Sequence, residues 1–278
     1  MMTSEWYYLD SGAQRPEYNM AMDEKLMEWH RNGEIPPVVR FYEWAPASLS
    51  LGYFQRIHRD IDLEAVKRHQ AGLVRRPTGG RAVLHEDELT YSVIVEESYP
   101  GIPQGVTEAY RVLSEGLLKG FRSLGLDADF SIPRTEEEKE ALKNPRSAVC
   151  FDAPSWYEMV VEGRKIAGSA QTRQKGVVLQ HGSLIRTIDA DKLFDMFQFP
   201  DQRVRDRMQQ GFYKKATPLG DLMEELADME TMKAHFRRGF EEALGVSLKT
   251  WTPDKKQEEE VLQLAEEKYA AQAWTEKY

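Results

Sequence analysis

The sequence predicts a mixed α+β fold with largely antiparallel sheets, packed helices and a helical C-terminal portion. Residues 157–185 contain three β-rich runs separated by two short turns that each end in glycine, which is typical of consecutive hairpins. Residues 106–124 carry apolar side chains at steps of three and four, which indicates an amphipathic helix. Hairpins in one stretch and helices in others favour the α+β class.

In the N-terminal half, apolar periodicity defines the elements, and glycine and proline separate them. A helix is expected over residues 18–29 and ends before Gly33, because glycine accommodates the turn that follows a helix. The other elements, in chain order, are strands at 38–42 and 48–51, a short helix at 63–69, a strand at 73–76, a turn at 77–80, and strands at 81–84 and 89–95.

In the C-terminal half, Thr252 and Pro253 predict the start of a last helix, with a capping hydroxyl before a first-turn proline. Together the elements predict one domain over residues 1–278, with a core at about 30–250 and a helical extension at about 252–278. The remaining elements are an exposed loop or short helix at 134–144, strands at 157–161, 165–174 and 177–185, and helices at 189–197 and 229–244, the last capped by Gly245.

Composition narrows the class of protein. The chain has 278 residues, 41% of them hydrophobic, which is enough to bury a substantial core. We expect a cytoplasmic protein without membrane contact, because no secretory signal and no run of eighteen apolar residues is present. The net charge of −9 and the pI near 5.3 argue against a nucleic-acid partner. The lack of coiled-coil heptads favours a monomer.

Cys150 is the only cysteine, so it cannot form an internal disulfide or a multi-cysteine metal site. It is either a nucleophile or a small buried core side chain. A catalytic thiol needs a neighbouring cation, base or helix amino terminus, because an ordinary thiol is mostly protonated at neutral pH. Lys165 can supply that cation, since it stands among small residues in the run GRKIAGSAQ (163–171). The alternative for Lys165 is a solvated lysine on a strand.

A second candidate is the run RRPTGGRAVLH (75–85). Its two adjacent glycines follow a strand and expose backbone N–H groups that can hold a phosphate, a carboxylate or a developing oxyanion. Its arginines form a basic cluster that either attracts an acidic partner or is simply solvated. A hairpin turn is the other explanation of the glycines. The run matches neither the phosphate loop nor the dinucleotide fingerprint, which disfavours nucleotide binding by those routes.

The six histidines show no metal-ligand spacing, and no Gly-x-Ser-x-Gly motif occurs, so the sequence supports neither a metal site nor a serine nucleophile. His85 and His181 lie near the glycine-rich runs. We expect each of them to be a hydrogen-bonded structural residue rather than a base.

Runs 75–85 and 163–171, about eighty residues apart and in this order, resemble the biotin/lipoate protein ligase and lipoyl transferase superfamily. The resemblance spans roughly residues 30–250. Cys150 stands upstream of the lysine run, within VCFDAPSWY (149–157), which resembles the octanoyltransferase branch of Gram-positive bacteria. Arg81 stands where lipoate ligases usually have a third glycine, which argues against acyl-adenylate formation.

The resemblance implies a single ligase-like catalytic domain that moves octanoyl from acyl carrier protein to a lysine of the glycine cleavage H protein, in protein lipoylation. It implies Cys150 and Lys165 as catalytic residues, a thioester intermediate on Cys150, and neither cofactor nor metal. The substrate-binding residues that it implies are Arg76, Thr78, Gly79, Gly80, His85, Gly168 and Ser169.

Three alternative functions stay open at this point. They are acyl transfer between the H protein and dehydrogenase E2 subunits, an ATP-dependent lipoate ligase, and a non-enzymatic acyl-binding module. An eight-carbon chain also needs an apolar channel. Its candidate lining, or else ordinary core, is Val74, Val83, Ala167 and Val178.

Overall fold

An eight-stranded mixed sheet and a smaller three-stranded sheet form the framework of the protein. The structure is a computed structural model, and it describes residues 4–132 and 157–278. The strands are β1 (Ser4–Gln14), β2 (Val38–Trp44), β3 (Ser48–Leu51), β4 (Gly72–Arg75), β5 (Val83–His85), β6 (Glu88–Glu96), β7 (Asp129–Ser131), β8 (Glu158–Val161), β9 (Arg164–Gln174), β10 (Val177–Ile185) and β11 (Val246–Thr250).

Helices cover the sheets. The α-helices are α1 (Pro16–Arg31), α2 (Ile57–Asp60), α3 (Leu63–Arg68), α4 (Val106–Ser123), α5 (Ala190–Asp195), α6 (Gln202–Lys215), α7 (Met229–Leu244), α8 (Lys255–Leu264) and α9 (Gln272–Thr275). A 3₁₀ turn (Leu219–Asp221) and a π-helical turn (Ala265–Tyr269) complete the described elements. No helix in the described ranges is both long enough and apolar enough to cross a membrane.

The sheets are mixed and largely antiparallel, as predicted. The large sheet has the strand order β11-β1-β2-β6-β10-β9-β8-β7. β1 is parallel to β11 and β2, and the other neighbours are antiparallel. In the small sheet β3 lies in the middle, parallel to β4 and antiparallel to β5.

The large sheet separates two hydrophobic cores. Successive side chains of a strand point to opposite faces. Val39 and Phe41 of β2 therefore join the core under α4 and α7, whereas Val38 and Tyr42 join the core under α1 and α8. A third core lies between the small sheet and helices α5 and α6. The space between the two sheets is consequently shielded from solvent on several sides.

The predicted hairpins β8–β9 and β9–β10 and the predicted helix α4 are confirmed. Both hairpin turns use the left-handed backbone that a two-residue turn of this kind requires. The φ angles are 51° at Glu162 and 75° at Gly163, and 51° at Lys175 and 83° at Gly176. Gly245 also ends α7 in the left-handed conformation, as expected, with φ of 65°.

The elements without a counterpart in the sequence prediction include β1, β11 and α6. β1 and β11 pair with each other in parallel although about 240 positions separate them, so local periodicity carries no sign of the pairing. α6 buries only Phe212, so it lacks the apolar stripe that identifies a helix in sequence.

The predicted start of the last long helix is wrong by two residues. Asp254, rather than Thr252, caps α8, and its side chain accepts a hydrogen bond of 2.8 Å from the Gln257 N–H. The Gln257 side chain accepts one of 3.0 Å from the Asp254 N–H. This reciprocal capping box satisfies two otherwise unpaired N–H groups, so it determines where the helix begins.

The hairpin explanation of the two glycines is also wrong. β3 lies between β4 and β5, so the glycine-rich segment (residues 76–82) joins two strands that do not pair. The segment crosses the end of β3 instead. Its backbone is therefore held by contacts other than those of a β-ladder.

Helices α4 and α7 approach closely because both carry glycine at the contact. A Cβ atom on Gly239 of α7 would lie 2.4 Å from the carbonyl oxygen of Gly116 and 2.8 Å from the backbone nitrogen of Gly120, both in α4. Phe236 and Phe240 fill the space beside Gly120 and Gly116, respectively. The close packing of α4 against α7 thus depends on glycine, which has no side chain, at positions 116, 120 and 239.

The C-terminal segment returns to the end of β4. Arg75 is fully buried, and its Nη2 donates a hydrogen bond of 2.7 Å to the carbonyl of Thr275. Its Nη1 donates to the carbonyls of Gly52, Tyr53 and Gln55 at 2.8 to 3.0 Å. The indole Nε1 of Trp274 donates 2.8 Å to the carbonyl of Arg75. One guanidinium therefore ties residues 272–278 to the loop after β3.

We expect Gly239→Ala to lower the free energy of unfolding by about 2 kcal/mol, because the new methyl group meets backbone atoms that cannot move aside. Gly211→Ala in α6 is the matched control, since its Cβ would have no atom within 4 Å. There alanine should raise the free energy of unfolding by about 0.5 kcal/mol through helix propensity. Urea unfolding measures both, and equal effects of the two variants would contradict the proposed close approach.

We expect deletion of residues 272–278 to lower the free energy of unfolding by about 2 kcal/mol or more, because the Arg75 cation then loses acceptors in a buried position. Deletion of residues 277–278 alone keeps the Thr275 carbonyl and should have a smaller effect. Urea unfolding of both truncated proteins tests this. Equal stability of the two would show that Arg75 does not depend on the segment.

Candidate active site

A cavity lies between the large sheet and the small sheet, beside α1. Strands β2, β6, β9 and β10 supply one side, and β3, β5 and the glycine-rich segment supply the other. The lining residues are Met20, Tyr42, Trp44, Ser50, Arg76, Gly80, Val83, His85, Thr90, Gly168, Ser169, Ala170, His181, Gly182 and Ser183.

The two runs singled out in the sequence meet at this cavity. The residues predicted to bind substrate that line it are Arg76, Gly80, His85, Gly168 and Ser169. The other two, Thr78 and Gly79, lie next to it and accept hydrogen bonds from Arg76. The arrangement brings residues about eighty positions apart into one site, and their functional roles stay predictions.

The apolar side of the cavity differs from the expectation. Val83 lines it, but Val74, Ala167 and Val178 belong to the hydrophobic cores instead. The lining at the level of α1 and β2 is supplied by Met20, Tyr42 and Trp44. Sequence periodicity did not select these residues as lining, because it cannot show which core position borders a cavity.

At two places around the cavity, two backbone segments lie so close together that only glycine fits between them. A Cβ atom on Gly52 would lie 1.9 Å from the Gly80 carbonyl oxygen, and one on Gly182 would lie 2.4 Å from the Gly168 carbonyl oxygen. Gly80 itself has φ of 92°, which strongly favours glycine. The shape of the glycine-rich segment therefore depends on Gly52 as well as on its own glycines.

Arg76, a residue that is only 5% exposed, holds the glycine-rich segment through its guanidinium. Its Nη2 donates to the carbonyls of Gly79 and Arg81, at 2.8 and 2.7 Å. Its Nη1 donates 3.1 Å to both the carbonyl and the hydroxyl of Ser50. Its Nε donates 3.1 Å to the Thr78 hydroxyl. All five N–H groups thus have an acceptor, and the arginine organises the segment instead of forming a solvated basic patch.

One side of Arg76 continues into a buried array that we call the Ser50 array (Ser50, His85 and Glu88). The Ser50 Oγ lies 2.8 Å from His85 Nε2, and His85 Nδ1 lies 2.6 Å from Glu88 Oε1. The His85 ring stacks on Trp44 with centroids 4.1 Å apart. Thr90 and Ser183 also donate to the Glu88 carboxylate. This carboxylate is almost completely buried and accepts three hydrogen bonds.

The other side continues into the Thr78 array (Thr78, His181 and Asp23). Thr78 Oγ1 lies 2.7 Å from His181 Nε2, and His181 Nδ1 lies 3.0 Å from Asp23 Oδ2. Burial lowers the pKa of His181, although Asp23 opposes that effect. The ring is therefore neutral at neutral pH. The expectation that His85 and His181 are hydrogen-bonded agrees with both arrays.

Asp23 is in turn fixed by a fully buried ion pair with Arg40. The Arg40 Nη1 lies 2.7 Å from Asp23 Oδ1, and neither side chain is exposed. Burial alone would raise the pKa of Asp23, but Arg40 and the His181 hydrogen bond lower it below its usual value. Tyr42 and Ser92 donate to the same carboxylate. The Asp23 carboxylate is therefore an anion with a complete set of donors.

Lys165 lies on β9, three residues before the cavity wall at Gly168. Its Nζ donates a hydrogen bond of 2.7 Å to Glu158 Oε1 of β8, and both side chains are largely buried. The Lys165 carbonyl accepts 2.9 Å from the Thr217 N–H. Lys165 is thus buried and paired instead of solvated. Cys150, the predicted nucleophile, lies outside the described residues.

Sequence reasoning did not select Ser50, Glu88, Asp23 or Glu158. Each is an ordinary polar residue in its own run, and only the three-dimensional contacts distinguish it. Within residues 4–132 and 157–278, no group of three or more His, Cys, Asp or Glu side chains is arranged to hold a metal ion.

Curated proteins similar to this chain match it along almost its whole length. The octanoyltransferase LipM of Halalkalibacterium halodurans is 59% identical over 269 residues, which cover 97% of this chain and 98% of that protein. The octanoyltransferase LipM of Bacillus subtilis is 57% identical over 277 residues, which cover 100% of both.

Solved structures confirm the predicted fold. A bi-partite lipoate protein ligase from the archaeal lipoylation system of Thermoplasma acidophilum has a TM-score of 0.80 and 25% identity, covering 98% of this chain and 96% of that chain. A lipoate-protein ligase A bound with ATP has a TM-score of 0.76 and 25% identity, covering 99% of both.

Residues 15–241 match the model of a protein family, the lipoyl protein ligase A/B catalytic domain. This range contains both runs that meet at the cavity, which confirms the superfamily resemblance of the sequence. The chain belongs to the lipoyl protein ligase A/B catalytic domain family.

Proposed function

We propose that this chain is an octanoyltransferase of protein lipoylation that works through a thioester on Cys150. The observation that carries this proposal is the full-length similarity to octanoyltransferases at 57 to 59% identity. The cavity between the two runs supports it, because it offers a partly apolar space beside the strand that bears Lys165.

In the first step the Cys150 thiolate attacks the carbonyl carbon of the donor thioester. The bond from that carbon to the donor sulfur breaks, and the donor thiol leaves with a proton. In the second step the amine of a target lysine attacks the Cys150 thioester, the carbon–sulfur bond breaks, and an amide forms. The amine's proton passes to the departing thiolate. Neither step needs ATP, because a thioester exchange is nearly isoenergetic and amide formation from a thioester is favourable.

Lys165 serves this mechanism as the cation that stabilises the thiolate and passes protons. Glu158 is the residue that orients it. A charge-assisted hydrogen bond of 2.7 Å between two largely buried side chains restricts the Nζ atom to one position. We propose the two residues as a unit, in which Glu158 acts through Lys165.

The octanoyl chain occupies the cavity in this proposal. Each buried methylene contributes about 0.8 kcal/mol, and Met20, Tyr42 and Trp44 provide apolar surface for it. Gly80 and Gly168 allow the acyl group to approach the backbone, and their N–H groups are candidate donors to the oxyanion.

The partners follow from the same proposal. The donor is an acyl carrier protein bearing octanoyl, and the acceptor is a lipoyl-domain protein, for which the glycine cleavage H protein is our candidate. The chain requires no cofactor and acts as a single catalytic domain.

We expect intact-protein mass spectrometry to show one added octanoyl group after mixing with octanoyl-acyl carrier protein, without ATP. Cys150→Ala should show none and should lose acyl transfer to the H protein. Acylation of the H protein by Cys150→Ala at the normal rate would exclude covalent catalysis. Octanoate loading that requires ATP would indicate a ligase instead, and bound donor without any transfer would indicate an acyl-binding module.

We expect Glu158→Gln to lower the rate of acyl-enzyme formation about tenfold to a hundredfold, because the amide loses the ionic partner of Lys165. Lys165→Ala should be slower still in both steps. Lys214→Ala, an exposed lysine of α6, is the control and should keep the normal rate. Single-turnover acylation measures all three, and a normal rate for Glu158→Gln would remove Glu158 from the mechanism.

A further inference from the structure

The Ser50 and Thr78 arrays have the same construction. Each runs from a hydroxyl to an imidazole Nε2 and from the imidazole Nδ1 to a buried carboxylate. Both hydroxyls accept a hydrogen bond from one guanidinium, that of Arg76. The arrays therefore flank the cavity as two similar supports that meet at a single cation.

The direction of the hydrogen bonds follows from the donors. Arginine has N–H groups and no acceptor, so Arg76 must donate to both hydroxyls. Each hydroxyl then directs its own proton to the nearest remaining acceptor, the imidazole Nε2 at 2.8 Å for Ser50 and 2.7 Å for Thr78. An Nε2 atom that accepts a hydrogen bond cannot carry a proton itself.

The carboxylates require the same tautomer from the opposite side. Carboxylate oxygens only accept hydrogen bonds, so an unprotonated Nδ1 at 2.6 Å from Glu88 or 3.0 Å from Asp23 would set two lone pairs against each other. Two protons on either ring would place an imidazolium beside the Arg76 guanidinium. The lowered pKa of His181, which results from burial and from the positive charge of Arg76 among other groups, agrees with a neutral ring there.

We propose that His85 and His181 are positioning residues, both held as neutral Nδ1–H tautomers, which lock Arg76 and through it the glycine-rich segment against the cavity. Arg76 in turn binds the carbonyls of Gly79 and Arg81, on either side of the cavity-lining Gly80. Any disturbance of either array is therefore passed to the segment. The tautomer assignment rests on hydrogen-bond geometry alone, whereas its effect on catalysis rests on the function proposed above.

The tautomers can be observed directly by NMR of protein labelled with ¹⁵N-histidine, because protonated and unprotonated ring nitrogens have different shifts. Loss of signals in His85→Gln and in His181→Gln assigns the two rings among the six histidines. We expect both to carry the proton on Nδ1. A proton on Nε2 of either ring at neutral pH would overturn the proposal.

Glu88→Gln provides a sharper test, because an amide can donate where the carboxylate could only accept. Either the Gln NH₂ group donates to His85 Nδ1 and the proton moves to Nε2, or the Gln oxygen accepts a weaker, neutral hydrogen bond from Nδ1–H. Both arrangements should change the ring ¹⁵N shifts of His85 and leave those of His181 unchanged. Unchanged His85 shifts in this variant would contradict control by the carboxylate. His235→Gln in α7 is the control and should change neither ring, since His235 takes no part in either array and, among the described residues, bonds to Ser123 of α4.

Kinetics separate positioning from a merely structural role. Thr78→Val removes the hydroxyl between Arg76 and His181, and we expect kcat/KM for octanoyl-acyl carrier protein to fall about tenfold, mainly through a higher KM. Thr78→Ser should restore it. A merely structural role would lower the yield of folded protein without changing KM, and that result would overturn the positioning role.

The tautomer assignment, the positioning effect and the proposed function can each be contradicted by a different result. If the tautomers are as expected but no octanoyl transfer occurs in the wild-type protein, the proposed function fails and the hydrogen-bond assignment stands. If transfer occurs and Thr78→Val keeps the wild-type KM, the arrays do not position the segment.

Discussion

The guanidinium of Arg76 is the group on which the geometry of the candidate site depends. A buried cation with five N–H groups loses free energy for every donor left without an acceptor. Here β3, the glycine-rich segment and two side-chain hydroxyls supply all five acceptors. A lysine could not replace it, because its three N–H groups leave from one nitrogen and do not form a planar fork.

Two other buried arginines also join separate parts of the fold. Arg40 joins α1 to the large sheet through Asp23, and Arg75 joins the C-terminal segment to the loop after β3. Most acceptors of Arg75 and Arg76 are backbone carbonyls that lie outside regular ladders. These carbonyls need donors because irregular backbone inside a protein has no ladder partner. The buried arginines therefore allow non-regular chain to lie close to the cavity.

Strand β9 relates the reactive end of the proposed site to the acyl-binding end. Lys165 and Gly168 are three positions apart, about 10 Å along an extended strand. Glu158 on the neighbouring strand holds the lysine, whereas Gly182 on the other neighbour leaves room at Gly168. One hairpin series thus determines both the position of the cation and the width of the cavity beside it.

The sequence alone determined the hairpins β8–β9–β10, helix α4, the family and the two runs that line the cavity, because each of these depends on local pattern or on contiguous motifs. Only the tertiary structure decided the strand pairings of β1 and β11 and the partners of the site histidines. His181 meets Asp23 across 158 positions and Ser50 meets His85 across 35. Such contacts arise when distant strands and helices pack together, and periodicity within one segment contains no information on them.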